Sequence, residues 1–112
     1  MSEGCVFCRI VAGEVPVELL HDGEHVVAFH DMSPKAEVHL LVVPRRHVND
    51  VVALAEDPDA LVALVQAGAA LAAAYADGDF RLVFNTGAGA GQTVFHAHGH
   101  VLAGGGASSG GL

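Results

Sequence analysis

The sequence predicts an α+β domain, with one long helix laid across an antiparallel sheet. Three observations carry this. Strand-like runs occur in both halves of the chain, and two of them meet around Asp22-Gly23, a hairpin signal. A single long helical segment opens at Asp57-Pro58. The 112 residues are 52% apolar and 16% charged, which suits one packed core and is too apolar for a disordered chain.

The elements follow in order. Phe7 to Ala12 is a short apolar segment ended by Gly13, one or two helical turns. Glu18 to Asp22 and Glu24 to His30 are the hairpin strands. Asp31-Met32-Ser33-Pro34-Lys35 is a turn, because Pro34 biases Ser33 away from helix. His39 to Pro44 is a near-continuous apolar strand that Pro44 stops. Asp57 is a good N-cap, Pro58 suits the first helical position, and apolar residues continue to Tyr75 before Asp77-Gly78 ends the helix. These residues span roughly 28 Å. Only Asp59 and Gln66 are polar in the helix body, so more than one side of it is expected to be covered. One face would lie on the sheet and the other would meet a second subunit, which makes a homodimer the expected state. Phe80 to Asn85 is a fourth strand, Thr86 to Thr93 a glycine-rich loop and Val94 to Leu102 a fifth strand. Residues 1–103 then form the domain, and Gly104 to Leu112 is expected to be a flexible Gly/Ser-rich tail.

Bulk properties exclude several functions. Thirteen acidic and five basic side chains leave a formal charge of -8, which disfavours a nucleic-acid polymer as partner because phosphate neutralisation needs a basic face. A small anionic ligand stays open if local donors replace lysines. There is no run of eighteen apolar residues, so no membrane span is expected. The opening MSEGCVFCRI lacks a basic stretch followed by an apolar one, and a cytoplasmic location is expected. Cys5 and Cys8 have C-x-x-C spacing, open to a redox pair, two inert thiols or half a zinc site in need of two more ligands.

Eight histidines outnumber Lys and Arg together. Three of them form His96-Ala97-His98-Gly99-His100, where strand alternation would point all three imidazoles to one side. Length argues against one ion held by all three: the ends of such a row lie roughly 13 Å apart, beyond one coordination shell. The row is therefore expected to serve two sites divided along its length. The preceding Gly87-Ala88-Gly89-Ala90-Gly91-Gln92-Thr93 lacks the Gly-Lys-Ser/Thr ending of a P-loop, yet its backbone N–H groups can meet phosphate oxygens.

The segment Gly91 to Leu102 resembles the signature of the histidine triad (HIT) family, His-x-His-x-His followed by apolar residues. Cys5 to Pro16, Ala28 to Pro34 and His39 to His47 are similar to the family's other blocks, in the same order. The Hint-like nucleoside phosphoramidase branch is the most similar group. The resemblance implies a five-stranded antiparallel sheet with one long and one short N-terminal helix, paired into a dimer. It also implies two displacements at the α-phosphorus of a nucleotide. His98 would be the nucleophile, its other ring N–H held by the main-chain carbonyl of His96. His100 and His39 would hydrogen-bond the phosphate. Asp31 would accept from the ribose hydroxyls. Asn85 would lie on the phosphate or ribose side, Thr93 near the leaving group with Gly91 and Gln92 as further substrate-binding residues, and Phe7, Ile10, Val15 and Phe29 around the purine. Several bacterial members carry structural zinc, and the matching positions here are Cys5, Cys8, His47 and His96, a Cys₂His₂ set.

The expected activity is hydrolysis of a purine nucleoside 5′-phosphoramidate (an AMP or GMP moiety). Hydrolysis or phosphorolysis of dinucleoside polyphosphates, a non-catalytic nucleotide-binding regulatory module, and metal delivery by the histidine row are the alternatives. The Gly/Ser-rich C-terminus departs from lineages that end in a defined segment, so preferences for the group on nitrogen do not carry over.

Overall fold

The computed structural model describes residues 4–109 and 112. Helix α1 spans Val6–Val11, capped by the Cys5 sulfur, which accepts from the Cys8 N–H at 3.4 Å. Gly13 follows with φ 78°, the left-handed geometry that ends a helix cleanly. Strands β1 (His21–Asp22), β2 (Val26–His30), β3 (Val38–Pro44), β4 (Arg81–Val83) and β5 (Gly99–Ala103) form one antiparallel sheet in the order β1-β2-β3-β5-β4. The predicted fold class, sheet and long helix are all present.

Alternation along β3 divides the core in two. Leu40 and Val42, with Val26 and Ala28 of β2 and Val101 of β5, face helix α3 (Pro58–Tyr75). That helix offers Ala60, Leu64, Ala67, Leu71 and Ala72, spaced to form one stripe. Its Gly68 lets it approach closely: a Cβ there would lie 3.2 Å from Val101. Leu41 and Val43, with Val27 and Phe29, face the opposite way onto Phe7 and Ile10 of α1. The register pairs His39 with Leu102 and Leu41 with His100, so both histidines stand on the α1 side. The site therefore lies on the face that the long helix leaves open.

Helix α3 starts as predicted, with Asp57 accepting from the Ala60 N–H at 3.3 Å and Pro58 in the first turn. By length and composition it is apolar enough to cross a membrane, but its inner stripe is a wall of the core. Val62, Val65 and Tyr75 on its outer side are exposed.

Several elements differ from expectation. The fifth strand begins at Gly99, not Val94, so His96 and His98 precede the ladder. The reason is hydrogen bonding: the Ala97 N–H donates to Val48 O, and the His96 carbonyl accepts from its neighbour's ring. The three imidazoles are thus not a row on one strand. A short helix α2 (Val51–Leu54), capped by Asp50 on the Ala53 N–H, stands where none was predicted. The hairpin strands and the fourth strand are shorter than predicted. The Gly/Ser-rich segment from Gly104 to Ser109 forms successive turns bonded to the sheet. Glu37 N–H donates to Gly105 O, the Glu37 carboxylate accepts from Gly105 N–H, and Arg81 donates to Ala107 O.

Candidate active site

Where the chain approaches β5, His96 is fully buried between two groups. Its Nε2 lies 2.8 Å from Pro44 O. A carbonyl can only accept, so the Nε2 carries the proton and the Nδ1 is bare. That bare nitrogen lies 3.4 Å from both the Cys5 and the Cys8 sulfurs. His47, just past the end of β3, brings its Nδ1 to 3.1 Å from Cys8 Sγ. The ligand atoms of Cys5, Cys8, His47 and His96 all lie within 4.8 Å of one another. Sulfur and nitrogen ligands on one tetrahedral zinc are about 3.6 Å apart, so this set fits a closed Cys₂His₂ site with little movement. Each element has a reason to be there. The α1 cap presents both thiols, and the Pro44 stop turns the chain toward His47.

His98 lies on the other side of this cluster. Its Nδ1 is 2.8 Å from the His96 carbonyl, so the Nδ1–H donates and the Nε2 keeps its lone pair. Burial holds its pKa below the usual histidine range, while the His96 carbonyl and Asp31 oppose that shift. His39 Nε2 and His100 Nδ1 are 3.0 Å apart, and Asp31 Oδ2 is 3.4 Å from the same His39 nitrogen. Burial is the largest cause lowering the His100 pKa to about 4, joined by repulsion from His98 and His39. Burial likewise lowers His39, against the pull of Asp31. The expected division of the histidines is present: His96 belongs to the thiol cluster, and His98 and His100 to the group around His39.

An apolar pocket of about 210 Å³ adjoins them. Phe7, Ile10, Phe29 and Asp31 line it, together with Val6, Val17, His30, Met32 and Leu41. Phe7 forms the wall shared with the histidines: its ring meets His98 edge-on with centroids 5.1 Å apart and Phe29 at 5.7 Å. Val15 does not line the pocket but packs behind it, against the Phe7 cluster. Asp31 also accepts from the Ser33 N–H at 2.7 Å, which fixes the turn that carries it.

The glycine-rich loop is held from inside. Buried Gln92 accepts from Gly87 N–H at 2.8 Å and donates to Asn49 O and Val94 O at 2.8 and 3.0 Å. Its side chain is committed to main-chain groups and ties the loop to Asn49. Asn85 donates to Ala90 O at 3.0 Å and lies under Gly91, which needs its φ of 92°. Thr93 is exposed and lines a separate groove with Cys5 and Phe95.

Sequence reasoning missed the main-chain groups: the Pro44 carbonyl behind His96 and the Lys35 N–H, which donates to His39 Nδ1 at 2.9 Å. No residue-type signal marks such positions. His30 and Met32 at the pocket were also missed, although both flank the predicted Phe29 and Asp31.

Known proteins resemble this chain over most of its length. The HIT domain family model matches residues 12–106. An uncharacterised HIT-like protein of Synechocystis sp. is 38% identical over 106 residues, covering 93% of each chain. The purine nucleoside phosphoramidase of Escherichia coli (strain K12) is 36% identical over 109 residues, covering 93% of this chain and 90% of that one. A HIT family hydrolase from Clostridium thermocellum superposes with a TM-score of 0.86 at 36% identity, covering 98% of this chain and 96% of that one. A HIT family hydrolase from Legionella pneumophila superposes with a TM-score of 0.84 at 35% identity, over 89% and 92% of the two chains. On a family match across most of its length and on relatives of this similarity, the chain belongs to the HIT family.

Proposed function

We propose that this HIT-family enzyme hydrolyses purine nucleoside 5′-phosphoramidates through a covalent nucleotidyl-His98. The observation that carries the reading is the His98 tautomer. Its Nδ1–H is tied to the His96 carbonyl at 2.8 Å, and its bare Nε2 stands beside a pocket walled by Phe7. A relative of 36% identity named a purine nucleoside phosphoramidase supports the same reaction.

The purine would enter the apolar pocket and the ribose would meet Asp31. The His98 Nε2 attacks phosphorus and the P–N bond breaks. The departing amine leaves with a proton taken from solvent, and the phosphate charge is met by the His100 N–H, with His39 hydrogen-bonded behind it. Water then cleaves the phosphorus–His98 bond, releases the nucleoside monophosphate and restores the neutral imidazole. Tight hydrogen bonding of buried His96 ties the nucleophile's support to the thiol cluster, where we propose a structural Zn²⁺ on Cys5, Cys8, His47 and His96. The exposed outer side of α3, with Val62 and Val65, supports a homodimer.

The test is turnover of adenosine 5′-phosphoramidate by the purified zinc-loaded chain, compared with diadenosine polyphosphates. His98→Ala is expected to abolish release of AMP. Surviving activity in that variant overturns the mechanism, and faster turnover of the polyphosphate replaces the substrate.

A further inference from the structure

We infer that the main-chain N–H of Lys35 sets the tautomers of His39 and, through it, of His100, so that Asp31, His39 and His100 form a hydrogen-bond chain and not a second metal site. The Lys35 N–H lies 2.9 Å from His39 Nδ1 and can only donate. The Nδ1 of His39 is therefore bare, and the neutral ring carries its proton on Nε2. That proton faces His100 Nδ1 at 3.0 Å and Asp31 Oδ2 at 3.4 Å. If His100 were also protonated at Nδ1, two N–H groups would meet head-on. His100 Nδ1 therefore accepts, and the His100 proton sits on Nε2.

By composition alone the trio invites a metal. Two histidines and a carboxylate bring their ligand atoms within 4.8 Å, the donor set of a facial metal triad. A metal needs a bare ligand nitrogen. His39 Nε2 could be bare only if the ring became an anion, because its Nδ1 is already taken by the amide. At the thiol cluster the logic runs the other way. His96 has a carbonyl behind its Nε2, so its Nδ1 is bare and faces the sulfurs. An amide behind one histidine and a carbonyl behind the other separate a donor from a ligand.

The consequence for catalysis rests on the phosphoramidase reading, whereas the tautomers do not. His98 and His100, with ring centroids 5.1 Å apart, then carry opposite tautomers. His98 holds a lone pair at Nε2 for phosphorus. His100 holds an N–H at the same ring position for a phosphate oxygen.

The experiment is long-range ¹H–¹⁵N correlation of the histidine rings in the zinc-loaded full chain at neutral pH. The expected pattern is a protonated Nε2 and a bare Nδ1 in both His39 and His100. Protonation of either ring at Nδ1 overturns the inference. Excess zinc is expected to leave these two rings unchanged, and a metal-bound pattern at His39 Nε2 overturns it as well. Lys35→Pro removes the amide donor, and Lys35→Ala keeps it. In Lys35→Pro, His39 and His100 are expected to populate both tautomers, with kcat down about tenfold or more and KM little changed. Lys35→Ala is expected to keep the parent tautomers. An unchanged pattern in folded Lys35→Pro overturns the role of the amide. If that variant does not fold, the parent spectrum and the zinc titration still decide. A parent chain with the expected tautomers but no phosphoramidate turnover would remove the substrate reading and leave this inference standing.

Discussion

Replacing His100 by Asn tests whether this histidine is held neutral by its surroundings. His100 is only 8% exposed, and burial with two neighbouring imidazoles lowers its pKa to about 4. In the unfolded chain it returns to about 6.5. Between those values the unfolded chain binds a proton that the folded chain refuses, so stability is lost as pH falls below 6.5. From pH 7 to pH 5 the loss from this one residue is about 2 kcal/mol, approaching about 3 near pH 4. Asparagine removes the titrating group and keeps an acceptor for His39 near the position of Nδ1. The assay is urea unfolding of parent and variant, in saturating zinc, at several pH values. Carboxylates, the histidines that do not touch His100 and the metal ligands contribute to both chains and drop out of the difference. The parent is expected to lose about 2 kcal/mol more than His100→Asn over this range. Parallel pH dependences would refute the reasoning, because they would mean that folded His100 takes up its proton as readily as in the unfolded chain.

Three further outcomes are expected. Gly99→Ala places a Cβ 2.9 Å from Leu82 Cδ1 and 3.1 Å from Leu64 Cδ2, and thermal unfolding should report about 1–3 kcal/mol of lost stability. Gln92→Ala leaves the Gly87 N–H and the Asn49 carbonyl without their partner, so stability should fall by about 2 kcal/mol and amide exchange across residues 87–92 should accelerate. Chelation of zinc, or Cys8→Ser, should lower Tm by several degrees and slow turnover, since α1 and His96 lose the atom that joins them; metal analysis should show one zinc per parent chain.

What was legible in the sequence depended on the kind of signal. The long helix was legible because Asp57, Pro58 and an apolar body name its start and course. The strands were legible as runs of Val, Leu and Phe, but not at their ends. The approach to β5 misled because His-x-His-x-His alternates like a strand, while its backbone bonds go to Val48 O and to a ring nitrogen. Helix α2 was missed because four residues carry too little periodicity, although Asp50 was a cap in waiting. The thiol cluster and the pocket around Phe7 were legible only through family resemblance, since Cys8 and His96 are 88 positions apart and spacing alone cannot join them. The groups that set the tautomers were not legible at all. A carbonyl at Pro44 and an N–H at Lys35 are common to almost every residue type.

The charge balance leads to one more expectation. The four arginines are engaged away from His39, His98 and His100: Arg9 with Glu14, Arg45 with Asp22, Arg46 with Asp57 and Arg81 with Ala107 O; the Lys35 ammonium donates to Ser33 O and acts on His39 and His100 only through its charge, which lowers both pKa values. A phosphate at His98 would then be met by neutral ring N–H groups, in a chain whose net charge is -8. Two signs follow. Short-range donors are little affected by salt, whereas repulsion between the acidic surface and an anionic substrate is screened by it. KM for a nucleoside phosphoramidate should therefore stay flat or fall as ionic strength rises. The assay is initial rates across a salt series at fixed pH, with kcat measured in parallel to detect damage to the fold. A KM that climbs steeply with salt would show that fixed cations hold the phosphate, and would remove the reading in which imidazoles and the main chain take the place of lysine.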